Sequence, residues 1–195
     1  MNIIGLTGSI GTGKSTAAQM CRQLGLWVHD ADATVHQLMA PYGEAVFPIL
    51  AVFGDVGSVC SGINRQKLGQ IVFSDADKKK QLENILHPLV HADRKMFLSH
   101  ARRHQQRTVI LDVPLLFETQ GHLQCDYIIS VWASDYLQRI RVLRRPGMTV
   151  DKFTAINATQ LPQHAKRSAA DLALASGLGK AYSFRMLKRW LKRLS

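Results

Sequence analysis

Short, unbroken apolar runs alternate along this chain with longer stretches whose apolar residues recur at helical spacing. The short runs fall at 3–6, 26–28, 108–112, 127–131 and 171–175. Runs of this length without polar interruption fit strands covered on both faces, as in a parallel sheet. Between the first two, 16–24 reads as a helix closed by Gly25, so the chain opens with a βαβ unit whose strands should lie parallel. The pattern predicts an α/β protein built on a five-stranded parallel sheet with helices layered on both faces.

A long helical block separates the second and third runs. Residues 34–53 are helical in pattern but interrupted at Pro41 and Gly43, and a glycine-rich bend over 54–62 leads to 65–73. Ser74-Asp75 looks like a helix start, and 78–99 carries Leu82, Ile85, Leu86, Leu89 and Val90 at helical spacing with His87-Pro88 inside. Proline there predicts a kink or a join between two helices. The block is too long for a plain crossover. It is therefore expected as an insertion, about 34–107, covering the ligand edge of a core formed by 1–33 and 108–195. Further on, 134–144 is helical, Thr149 caps a helix reaching Gln160-Leu161, and a short turn after Pro162 holds Lys166 and Arg167. The last helix, 182–194, aligns Phe184, Leu187, Trp190, Leu191 and Leu194 into one buried stripe beneath a basic, solvated face.

Composition narrows the setting. A length of 195 residues with 46% hydrophobic and 20% charged residues suits one globular core with an insertion. Cys21, Cys60 and Cys125 are far apart and form no C-x-x-C pair, which argues against a disulfide framework or a zinc site and for a reducing compartment. No charged leader precedes a long apolar segment, and no run approaches the roughly 18 apolar residues of a spanning helix. A cytoplasmic protein with no membrane partner is expected. The net charge of +11 points to an anionic ligand, for which nucleic acid, membrane surface and polyphosphate metabolite all qualify.

The stretch Gly8-Ser9-Ile10-Gly11-Thr12-Gly13-Lys14-Ser15 decides among them, because it has the G-x-x-x-x-G-K-S spacing of a P-loop with a strand before it and a helix after. Glycines let consecutive backbone N–H groups close on phosphate oxygens, and the following helix points its positive end at the same anion. Gly8, Gly11, Thr12, Gly13, Lys14, Ser15 and Thr16 are thus the candidate nucleotide contacts. Lys14 would reach the β- and γ-phosphates and Ser15 would offer a hydroxyl to Mg²⁺. Ligands of parallel sheets bind beyond the carboxyl ends of the strands, where the pattern also puts Asp30, Asp32 and Asp112. Asp112 reads either as an acid orienting Mg²⁺ through water or as an ordinary loop aspartate. Arg139, Arg141, Arg144 and Arg145 beside Pro146-Gly147 suit a mobile lid, about 139–149. Arg139 and Arg141 cannot share a helix face, so at least one of the four belongs to the solvated surface. An N-K-x-D element is absent, which argues against a guanine-specific switch, and a motor needs a larger machine. A small-molecule kinase with ATP as co-substrate fits best. A basic nucleic-acid-binding module has only the charge in its favour, with no recognisable motif.

In addition, the chain resembles the dephospho-CoA kinases. GLTGSIGTGKST (5–16), HDADATVHQL (29–38), LGQIVFSD (68–75), LENILHPLV (82–90), LDVPLLFET (111–119), RVLRRPGMT (141–149) and QLPQHAKRSAAD (160–171) stand in that family's order and span nearly the whole chain. The resemblance implies a P-loop, nucleotide-kinase-like three-layer fold with a helical CoA-substrate insertion and an arginine lid. It implies phosphorylation of the ribose 3′-hydroxyl of dephospho-CoA by ATP and Mg²⁺, with no nucleic-acid partner, by a monomer or weak homo-oligomer. On it, Asp32 is the base, Lys14, Arg141 and Arg145 act on the transferring phosphate, and His87, Pro88 and Leu115 belong to the substrate site. His87 is read equally as a structural core histidine. Three departures stand out: Ser9 replaces a second glycine, Pro146 replaces an acid, and Ala175-Ser176 replaces an Asp-Asn type pair near the nucleotide base.

Overall fold

Five strands form one sheet in the order β2-β5-β1-β6-β7, where β1 is Asn2–Thr7, β2 Trp27–Asp30, β5 Thr108–Asp112, β6 Tyr127–Trp132 and β7 Leu172–Ala175. The sheet is parallel, and each of the five apolar runs supplies one strand. Carboxylates pin its amino ends: Asp126 accepts from the N–H of Ile3 and Asp171 from that of Ile128, each at 2.7 Å. The structure is a computed structural model describing residues 1–73 and 75–194, so the helix start expected at Ser74 falls outside the described residues. The chain divides into two compact units, one of residues 1–29 and 101–195, the other of residues 30–100.

In the first unit, strand side chains alternate between two covered faces. Ile4, Leu6, Ile110, Ile129 and Leu174 pack with Ala17 and Cys21 of α1 (Lys14–Gln23) and Leu187 of α9 (Lys180–Leu191). Phe184, Trp190, Leu191 and Leu194 join that core as the expected stripe. The other face meets the segment after β5. A Cβ on Gly5 would stand 2.6 Å from Leu116 Cδ2 and 2.9 Å from Cys125 Sγ, so only a residue without a side chain lets that segment lie this close. A 3₁₀ turn, Gly121–Gln124, leads back to β6. Ser134 caps α6 (Asp135–Leu143), and Thr149 caps α7 (Val150–Ala158) by accepting from the N–H of Lys152. The turn expected after Pro162 is instead a short helix, α8 (Gln163–Ser168).

The second unit holds α2 (Ala31–Leu38), α3 (Val46–Phe53), a hairpin of β3 (Gly57–Ser58) and β4 (Gly62–Ile63), α4 (Arg65–Phe73) and most of α5 (Ala76–Arg103). Met39, Val46, Ile49, Val56, Ile63 and Leu68 form its core, with Leu82, Ile85, Leu86 and Leu89 of α5 packed against it. The glycine-rich bend therefore contains a two-stranded hairpin the residue pattern did not predict. No join between helices occurs at Pro88, since α5 runs unbroken through it. Proline removes the bond to the carbonyl of Asn84, but both residues are exposed and water can serve that carbonyl. Among the described residues no helix is long and apolar enough to cross a membrane.

Candidate active site

β1 delivers the chain to the glycine loop and α1 takes it away, so the loop's shape is set by what lies between them. Gly11 and Gly13 have φ of +76° and +97°, the left-handed region that side chains disfavour. A Cβ on Gly11 would also lie 2.4 Å from Val142 Cγ2. Within the loop the carbonyl of Ser9 accepts from the N–H of Thr12 at 3.2 Å and from its hydroxyl at 2.8 Å. Ser9 itself is buried and avoids positive φ, so a serine fits where the resemblance expects glycine. Gly13 starts α1 without any side-chain cap, which leaves the helix's first N–H groups for another acceptor.

Lys14 Nζ bonds Asp112 Oδ1 at 2.8 Å, with the carboxylate only 2% exposed. Asp112 is thus not a solvated loop residue. It sits at the end of β5 and holds the loop's lysine. Burial, reinforced by the Asp112 charge, pushes the neighbouring Cys21 thiol up to about 12 and keeps it an unreactive apolar filler.

A cavity of about 340 Å³ opens beside the loop. Gly11, Gly13, Ser15, Thr16, Arg141 and Arg145 line it, as do Ser176, named above as a departure from the resemblance, and Lys180, which the sequence did not single out. Arg141 Nη1 donates to Ser176 Oγ at 2.7 Å and to the Thr12 carbonyl at 3.5 Å, while Nη2 donates to the Ser176 carbonyl at 3.2 Å. Ser176, which stands where the resemblance expects a larger polar residue, therefore anchors Arg141 by both its side chain and its backbone. Arg139, Arg144 and Arg145 are exposed, and of the four only Arg141 is partly buried. Gly8 and Thr12 are sealed inside the loop.

The remaining candidates are carried by other stretches of the chain. Leu115 is exposed on the segment after β5. Asp32, His87 and Pro88 belong to the second unit. There Asp30 caps α2 by accepting from the N–H of Ala33 at 3.0 Å, whereas Asp32, in the first turn, is exposed. His87 is exposed too, so it is not a core histidine.

Polar groups behind the loop escaped the residue pattern altogether. Lys166, 1% exposed, bonds Glu118 at 2.8 Å, and Glu118 also accepts from the N–H of Leu161 at 2.7 Å. Burial works to raise the Glu118 carboxyl, but the bonds from Lys166 and Leu161 outweigh it and hold the group below its ordinary range. Gln138, Gln160 and Gln163 bond one another or the loop itself. Glu118 stands in the DVPLLFE segment and Gln160, Gln163 and Lys166 in QLPQHAKR, whereas Gln138 stands in none of the quoted segments.

A family model described as dephospho-CoA kinase matches residues 2–179. A dephospho-CoA kinase of Rhodospirillum rubrum is 50% identical over 186 residues, covering 95% of this chain and 88% of its own length. A crystal structure from Thermus thermophilus, 30% identical, superposes with a TM-score of 0.83 over 100% of this chain and 98% of that one. The dephospho-CoA kinase from Campylobacter jejuni shares the fold with a TM-score of 0.69 at 22% identity, over 100% of this chain and 97% of its own.

Proposed function

As the chain belongs to the dephospho-CoA kinase family, we propose that it transfers the γ-phosphoryl group of ATP to the ribose 3′-hydroxyl of dephospho-CoA, giving CoA and ADP in the cytoplasm. The observation that carries this reading is the loop itself: left-handed Gly11 and Gly13, an uncapped α1, and Lys14 held beside it by Asp112. The loop's N–H groups close on the phosphates as they arrive. Lys14 has three protons to donate, so it can keep Asp112 and still add a phosphate oxygen. Arg141, steadied by Ser176, and Arg145 bring positive charge to the cavity's lid side and stabilise charge spreading over the transferring group.

Asp32 is the group we assign to the acceptor. Its neighbour Asp30 spends a carboxylate oxygen on helix capping, whereas Asp32 is exposed one residue into α2. In this role it orients the 3′-hydroxyl and accepts its proton as the phosphorus bond forms. His87, Pro88 and Leu115 are assigned to the dephospho-CoA side.

Mg²⁺ takes few protein oxygens and prefers phosphates and water for the rest. Ser15, exposed at the start of α1, and Asp112, a buried carboxylate beside the loop, are donors of that kind. When bound, the ion supplies neutralising charge on the phosphate oxygens.

A substrate panel with coupled ADP detection tests the reading. Turnover with dephospho-CoA and none with nucleosides or nucleotides is expected, and the reverse would overturn it. The Asp32→Asn protein should still bind ATP while turnover falls by about 10²–10⁴-fold. Turnover near that of the unaltered protein would remove Asp32 from the base role.

A further inference from the structure

Ile10, at the tip of the phosphate loop, has both of its backbone groups held by glutamine side chains from distant parts of the chain. Its N–H donates to Gln160 Oε1 at 3.1 Å, and its carbonyl accepts from Gln138 Nε2 at 2.7 Å. Gln138 is only 2% exposed. Its own oxygen accepts from Gln163 Nε2 at 2.9 Å, and Gln163 Oε1 accepts from the N–H of Ala133 at 3.2 Å, just past β6. A second bond from Gln163 Nε2 reaches Asp135 at 3.2 Å. A directed relay results, from Ala133 N–H through Gln163 and Gln138 to the Ile10 carbonyl. Each amide's orientation is dictated by a backbone group that can only donate or only accept, and bonds in such a chain polarise one another.

The loop needs an anchor of this kind. Gly11 and Gly13 follow the tip directly in left-handed conformations, and glycines on their own leave a loop many alternatives. Phosphate-binding amides work only when they already converge, because ordering them at the moment of binding costs affinity. Gln138 lies in α6 and Gln160 just past α7, so the two grips reach the loop from sequence positions on either side of the arginine segment.

We propose that Gln138 and Gln160, with Gln163 behind them, are positioning residues that pre-form the phosphate loop for the nucleotide. The proposal deepens the reading above and rests on that loop holding ATP. It makes a chemical distinction between the two positions. Gln160 needs only to accept, a task a carboxylate performs. Gln138 has to donate to a carbonyl, where a carboxylate would set oxygen against oxygen.

The test compares Gln160→Leu, Gln160→Glu and Gln138→Glu with the unaltered protein. ATP affinity is measured by calorimetry, KM for each substrate and kcat by coupled ADP detection, and Tm by thermal melting. Gln160→Leu and Gln138→Glu should weaken ATP binding by about tenfold with KM for dephospho-CoA unchanged, while Gln160→Glu stays within about twofold of the unaltered protein. The half-buried Gln160 pair keeps the test decisive even if the Gln138 variant fails to fold. Equal ATP affinity in Gln160→Leu, equal damage from Gln160→Glu and Gln160→Leu, or a loss of Tm with no change in ATP binding would each overturn the proposal. Absence of ATP binding by the unaltered protein would instead overturn the kinase reading on which it rests, and the proposal with it.

Discussion

Two lysines end on carboxylates carried by one stretch of chain, and they differ in which partner is sealed. Lys14 bonds Asp112 at 2.8 Å with side-chain exposures of 14% and 2%; Lys166 bonds Glu118 at the same 2.8 Å with exposures of 1% and 19%. In the first pair the acid is shut in and the cation keeps contact with solvent. In the second the cation is shut in, reaches the Pro114 carbonyl as well at 3.5 Å, and shares Glu118 with the N–H of Leu161. A lysine with an open side can add a new anion without leaving its acid. A lysine closed on every side can only hold the structure in place. Equal bond lengths therefore conceal one pair suited to exchange and one suited to permanence.

The most severe way to break the comparison is Lys14→Ala, which should lower turnover by on the order of 10³-fold in a coupled ADP assay and abolish tight ATP binding. Activity within about tenfold of the unaltered protein would place both pairs in the structural class. Lys166→Met should do the opposite. Removing one member of a buried pair leaves the other uncompensated, so urea unfolding should show a loss of about 3 kcal/mol. Turnover per folded molecule should change only a few-fold, about what small shifts near a site produce. Glu118→Gln keeps an acceptor for Leu161 but leaves the sealed Lys166 ammonium without a counter-charge, so it should cost about 3 kcal/mol as well.

That last variant also isolates a pH effect. Because the folded pKa of Glu118 is lowered, the unfolded chain binds more protons in the window between the two pKa values, and stability rises with pH there. The contribution is fully present above the unfolded carboxylate value and lost as pH falls through the folded one. Urea midpoints measured from neutral pH into the acid range should fall less steeply for Glu118→Gln. Parallel curves for the two proteins would show that the ion pair adds nothing in acid.

Much of the sheet and the phosphate loop was legible in the residues, because their signals are local. An apolar run marks a doubly covered strand, and glycine spacing marks a backbone that must turn its amides inward. What stayed hidden depends on distant partners. Lys166 read as one more charge in a turn, since nothing nearby in sequence announces Glu118. Gln138, Gln160 and Gln163 carried no signal of their own, because a glutamine's task is defined by the backbone group it meets. The β3–β4 hairpin is only two residues per strand, too short for alternation to register. At Pro88 the alternative of a join between helices did not occur, because the Asn84 carbonyl it leaves unpaired is open to water.

The bare position at Gly5 reaches further than its size suggests. It admits Leu116 against the sheet, and Leu116 belongs to the same short stretch as Pro114, whose carbonyl receives the hydroxyl of Thr7 at 3.0 Å and the ammonium of Lys166. A single added methyl group would wedge that stretch outward and loosen its grips on the strand and on α8 together. Among functioning descendants of this chain, Gly5 should therefore prove as resistant to replacement as the loop glycines, although it belongs to β1 and not to the loop.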